Sequence, residues 1–192
     1  MRVIKAIILI LFFILFVFIT PSLSSCLLDL FRSRVGENIE KILTTQTLHA
    51  NEIVAVRPQP DYSYPTLLRI RWSMYIIYKD KTKFHLSINK YLFARYMKYR
   101  TKSYLNGTMT MYHHCQPYNI SHIDGYLCSD RGAKFPFFLF YRDKYFIIVR
   151  GPRGKKGELM DEPIIDILKE IALVIDKAIE EGKLSVFYKR DD

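Results

Sequence analysis

The side chains best suited to metal or redox chemistry are concentrated in one stretch, MYHHCQPYNISHIDGYLC, residues 111–128. It holds His113, His114, His122, Cys115 and Cys128. Thiolate sulfur and neutral imidazole both bind zinc or copper, so these residues could supply four ligands. The spacing does not match a known zinc pattern: there is no Cys-x-x-Cys, and His113 and His114 are adjacent. On a strand, adjacent side chains point to opposite faces and do not easily share one ion. The other chemistry open to the stretch is oxidation. A Cys115–Cys128 bond would close a loop of about 14 residues, worth about 3 kcal/mol in the chain-entropy model. Asn119, Asp124 and Gly125 would then supply the turns. The disulfide is the expectation. A metal held by His113, His114 and His122 is the alternative, and no cofactor is expected.

Which chemistry applies depends on compartment. The chain begins MRVIKAIILILFFILFVFITPSLSSC. Arg2 and Lys5 precede an uncharged run, and the next formal charge is Asp29. That run passes the roughly 20 residues needed to span a bilayer. Two cations, an apolar core and then small residues make the layout of a secretory signal. The cations stay on the cytoplasmic side and place the rest of the chain outside. Leu23-Ser24-Ser25-Cys26 resembles the lipobox of prokaryotic lipoproteins. The resemblance covers the leader and these four residues, and implies that Cys26 carries lipid. Cleavage near Ser25 and an uncleaved helical anchor are the alternatives. Residues 1–25 are therefore read as a signal peptide or membrane-anchor helix. The remainder is expected at the cell surface or in the periplasm, where paired cysteines usually oxidise.

The formal charge is +10. A basic exported protein favours anionic partners, and head groups suit this compartment better than nucleic acid. Arg95, Lys98 and Lys102 share one face of an expected helix, at spacings of three and four. Arg153, Lys155 and Lys156 lie in the loop GPRGKKGELMDE, and Arg150 directly precedes it. These cations are the candidate anionic-surface contacts, with an envelope protein as a further possible partner. Asn106-Gly-Thr108 and Asn119-Ile-Ser121 match the N-glycosylation pattern, which has meaning only in an exported chain. Nothing in the pattern sets an oligomeric state.

These groups need a scaffold. Phe31–Thr47 reads as a helix and Glu52–Val56 as a strand. Leu68, Ile70, Trp72, Met74 and Ile76 alternate with Arg69, Arg71, Ser73 and Tyr75, the period of a strand with one core face. KDKTK turns that strand into a second through Phe84, Leu86 and Ile88. Asn89 could cap a helix whose Leu92, Phe93, Tyr96 and Met97 face the core. FPFFLFYRDKYFIIVRG reads as a buried hairpin turning at Arg142-Asp143-Lys144. Pro163 and Gly182 bracket a last helix with Ile164, Leu168, Ile171, Ile175 and Ala178 on its buried stripe. KLSVFYK could add a strand. The fold class is α+β: a hydrophobic N-terminal helix, then one domain over 31–192 with a mainly antiparallel sheet packed by about three helices.

No catalytic constellation is assembled in sequence. Asp161, Glu162 and Asp166 suit the start of a helix, and GPRGKKG lacks the order of a phosphate-binding P-loop. The expected function is a membrane-tethered, extracytoplasmic, non-enzymatic domain that binds a partner or envelope component. An exported enzyme or metal-binding protein using His113–Cys128 is the alternative.

Overall fold

Strand alternation and hairpin turns assemble one seven-stranded antiparallel sheet, in the order β1-β2-β3-β7-β6-β5-β4. The computed structural model describes residues 34–58, 69–111, 113–130, 136–152 and 162–184. Helix α1 covers 34–46. The strands are β1 (Ile53–Pro58), β2 (Arg69–Tyr78), β3 (Lys83–Tyr91), β4 (His113–Ile120), β5 (Ile123–Asp130), β6 (Pro136–Arg142) and β7 (Tyr145–Arg150). Helix α2 is Ala94–Met111 and α3 is Glu162–Glu180. Three hairpins, β2–β3, β4–β5 and β6–β7, supply local pairing. The long-range pairing of β3 with β7 joins the two halves and sets His85 opposite Arg150.

The expected leader and Cys26 lie outside the described residues, as do Arg153, Lys155, Lys156 and the KLSVFYK strand beyond Leu184. So do the side chains of His113 and His114. Among the described residues no helix is long and apolar enough to cross a membrane.

The period of two puts Trp72, Met74, Ile76 and Tyr78 of β2 on one face with Phe84, Leu86 and Ile88 of β3. Phe138, Phe140, Ile147 and Val149 continue that face, and α1 and α3 cover it with Val35, Ile39, Leu43, Leu168, Ile171 and Ile175. Helix α2 covers part of the opposite face, where Met97 packs with Tyr91, Phe137, Leu139, Phe146 and Ile148. Strands β6 and β7 are buried on both sides, which is why they read as unbroken apolar runs. Helix α3 ends where Gly182 takes φ +69°, the left-handed conformation that glycine adopts without a Cβ penalty. There the Lys183 amide donates to the Ala178 carbonyl at 2.9 Å, and the Gly182 amide donates to Ile179 at 3.0 Å. The outer strands each carry a proline, Pro58 on β1 and Pro117 on β4.

Three local expectations are corrected. Asn89 caps no helix: it lies in β3, buried, and its side-chain amide donates to the Phe146 carbonyl at 3.4 Å. Leu92, Phe93 and Tyr96 do not face the core; they are 51%, 57% and 37% exposed, and Met97 alone of that group is buried. The strand runs two residues past Asn89, so the helix starts later and is rotated relative to the expected one. The 111–128 stretch is not a loop with turns at Asn119 and Gly125. It is largely the β4–β5 hairpin, turning at Ser121-His122, with Gly125 inside β5.

Candidate functional site

Among the described residues, strands β1, β2, β3 and β7 bring a basic, polar group of side chains together on the face that α2 shares. Arg71, Ser73 and Tyr75 of β2 point the same way as His85, Ser87 and Asn89 of β3 and Arg150 of β7. The register sets Arg71 opposite Asn89, Ser73 opposite Ser87 and Tyr75 opposite His85. Side chains opposite each other on one sheet face lie within contact range. Ser73 Oγ and His85 Nε2 are 2.7 Å apart, the nitrogen donating or accepting according to its tautomer. Arg71 Nε donates to Ser87 Oγ at 3.1 Å. The Arg150 guanidinium donates to the Tyr104 hydroxyl of α2 at 3.4 Å and lies 5.8 Å from the Phe137 ring centre. Ser73, Ser87 and Asn89 are buried at a place where the same face elsewhere carries Phe146 and Ile148. Strands β1, β2, β3 and β7 contain no acidic residue, while Arg57, Arg69, Arg71, Lys83 and Arg150 share this face.

Burial, followed by the positive charges of Arg150 and Arg71, holds the His85 imidazole down at about 4. A serine beside a histidine is the geometry of an activated nucleophile. A base held that low takes a proton poorly at neutral pH, so the pair is better suited to binding than to proton abstraction. The shift also makes stability depend on pH. In the unfolded chain the imidazole titrates at its ordinary 6.5, so as pH falls towards 4 the unfolded state takes up the proton first. Stability is fully present above 6.5 and declines as pH falls from there towards 4. His85→Asn is expected to flatten that part of a melting-temperature profile between pH 7.5 and 4. A variant that declines as steeply as the parent would rule His85 out as the source.

The predicted histidine–cysteine residues fall into separate roles. Cys115 and Cys128 stand opposite each other on β4 and β5 and form a disulfide on the α2 side of the sheet. His113 and His114 stand at the start of β4, and His122 in the turn at its other end. An eight-residue strand separates them by roughly 24 Å, so one ion cannot take ligands from both ends. His122 instead reaches α3. Its Nε2 is 2.8 Å from Asp176 Oδ2, and Asp176 is 1% exposed. Arg142 comes from β6, with Nε 3.7 Å from Asp176 Oδ1 and Nη2 3.5 Å from Glu180 Oε1. His122, Asp176 and Glu180 bring ligand atoms within 4.8 Å of one another. The Arg142 guanidinium already supplies the positive charge that a cation would bring. The cluster reads as an ion-pair network fastening the hairpin turn to α3.

The predicted cations of α2 are brought together. Arg95, Lys98 and Lys102 are exposed, and Arg100 joins them. Arg95, Tyr99, Lys102 and Asn106 follow at spacings of four, three and four, one stripe on the outward side. Tyr99 is 67% exposed within it. Asn106 and Asn119 of the two glycosylation patterns are both exposed, the first on α2 and the second on β4.

A further cleft of about 520 Å³ lies between the β2–β3 turn and the start of α3, lined by Glu52, Tyr78, Asp80, Phe84, Ile164 and Ile167 among others. Burial and the charges of Glu170, Glu52 and Asp80 push the Tyr78 hydroxyl well above its ordinary range, so it stays protonated.

Sequence reasoning missed the Arg71–Ser73–His85–Arg150 group. Alternation assigned Arg71 and Ser73 to one face, but nothing in the sequence identified β7 as the neighbour of β3. No known protein family, curated protein or solved structure matches the chain.

Proposed function

We propose that this chain is a membrane-tethered extracytoplasmic domain, non-enzymatic, whose α2 surface rests on anionic head groups. The observation that carries the reading is the composition of that surface. Arg95, Lys98, Arg100 and Lys102 are exposed on a helix that contains no acidic residue. Leu92, Phe93 and Tyr99 are more than half exposed beside them. Aromatic and aliphatic side chains among cations are the mixture that lies at a membrane–water interface. The acidic residues Asp166, Glu170 and Glu180 are on α3, across the sheet. The charge asymmetry therefore gives the domain a preferred side. An N-terminal tether of the kind expected from the leader would hold that side within reach of the bilayer. The alternative reading, enzyme or metal carrier, has less support because the hairpin separates the histidines it would need.

The test is amide hydrogen exchange of full-length protein in nanodiscs, zwitterionic or one-third anionic. Each cation near an anionic surface contributes about 1 kcal/mol. Exchange over residues 92–103 is expected to slow at least about tenfold in the anionic discs. Arg95→Glu, Lys98→Glu and Lys102→Glu together should remove the difference. Equal exchange in both disc types would end the proposal.

A further inference from the structure

We infer that the sheet face between Arg71, His85 and Arg150 is a binding site for a phosphate group, either as a free ion or ester or as part of a lipid head group. The site is separate from the outward surface of α2, and the inference goes beyond the membrane reading.

Three observations carry it. The first is charge. The cations on this face come from four strands that hold no carboxylate. The described contacts of Arg150 are a tyrosine hydroxyl and a phenylalanine ring, both uncharged. The register sets Arg150 opposite His85, and Arg71 reaches Ser87, two residues along the same strand and on the same face. The second is the donor set. Two guanidiniums, two serine hydroxyls, an imidazole and an amide converge from three adjacent strands. A planar carboxylate is met by one guanidinium fork, whereas a tetrahedral oxyanion can accept from donors on several sides. The third is the composition of the face. Ser73, Ser87 and Asn89 are buried and held by His85, Arg71 and the Phe146 carbonyl, so this part of the face is an ordered polar network inside an otherwise apolar sheet surface. A few polar groups converging beside apolar walls, here Tyr91, Phe146 and Ile148, are the usual content of a ligand site.

A bound phosphate would oppose the two guanidiniums at the imidazole. Protonated His85 would then be an added donor to the bound oxyanion.

The experiment uses full-length protein in neutral detergent micelles, with the His85 ring nitrogens followed by NMR. Inorganic phosphate is titrated at constant ionic strength against chloride. The expected result is a saturable His85 shift with phosphate and none with chloride, with the His85 titration midpoint moved upward. Arg150 is exposed, so its replacement leaves the core intact. Arg150→Gln should weaken binding by at least about tenfold, the factor carried by 1.4 kcal/mol. Arg150→Lys should fall between the two. A parallel arm uses nanodiscs containing a phosphate-bearing anionic lipid. A His85 shift there but not with free phosphate assigns the site to a head group, and the reverse assigns it to a soluble ligand. No phosphate-specific shift in either arm, or an unchanged affinity in Arg150→Gln, overturns the inference. Neither result depends on whether α2 touches the membrane, since hydrogen exchange of residues 92–103 reports that separately.

Discussion

Gly125→Ala is expected to destabilise the protein by about 3 kcal/mol, at the upper end of what overpacking a core costs. A Cβ at this position would stand 2.4 Å from Phe138 Cζ and 2.7 Å from the Leu139 carbonyl oxygen. Phe138 is 1% exposed and its ring lies 5.6 Å from that of Phe140, so it has little room to withdraw. The carbonyl oxygen is backbone of the neighbouring strand and moves only if the sheet moves. Urea unfolding followed by circular dichroism gives the number. Phe138→Leu in the same chain removes the ring atoms in the way but leaves the carbonyl. The double variant should therefore recover part of the loss, and the two changes should fall short of additivity. If Gly125→Ala unfolds at the parent's urea midpoint, β5 does not pack closely on Phe138.

The second large effect belongs to the disulfide. Replacing both partners, Cys115→Ala with Cys128→Ala, is expected to cost about 3 kcal/mol, or roughly 10 °C in melting temperature for a chain of this size. Cys128 is fully buried among Phe137 and Leu139, so alanine rather than serine avoids adding an unpaired hydroxyl to that cluster. The parent should lose a similar amount on reduction with dithiothreitol, and the double variant should not respond. Equal melting of parent and double variant under oxidising conditions would mean that the crosslink adds nothing beyond the ladder it spans.

The residues most legible in the sequence are those with a strong local rule. Pro163 and Gly182 bracket α3, and its apolar stripe marks its buried side, because capping and periodicity act within a few residues. The β2–β3 and β6–β7 hairpins follow from alternation and short polar turns. The Cys115–Cys128 pair follows from counting cysteines in a chain read as exported. Asn89 shows where local rules compete. It is a good helix cap by type, but its position continues the β3 ladder, and pairing with Phe146 of β7 takes precedence. Gly125 shows the same conflict, since a glycine after an aspartate reads as a turn unless the ring beneath it is known. The Ser73–His85 pair is beyond sequence reasoning for a different reason. It depends on which strands are neighbours, and β3 and β7 are about 60 residues apart in the chain.

The two sheet borders have a further bearing on how the protein behaves in company. An open strand offers unpaired amides to any other strand, and crowded molecules meet their own kind often. Here one border strand is short, bulged near Ile53 and carries Pro58, and the other carries Pro117. A proline has no amide hydrogen to offer, and a bulge breaks the even spacing that a newcomer would need. Fibre-like growth by edge addition is thereby discouraged at both ends of the sheet, and crowding should leave these molecules individually folded.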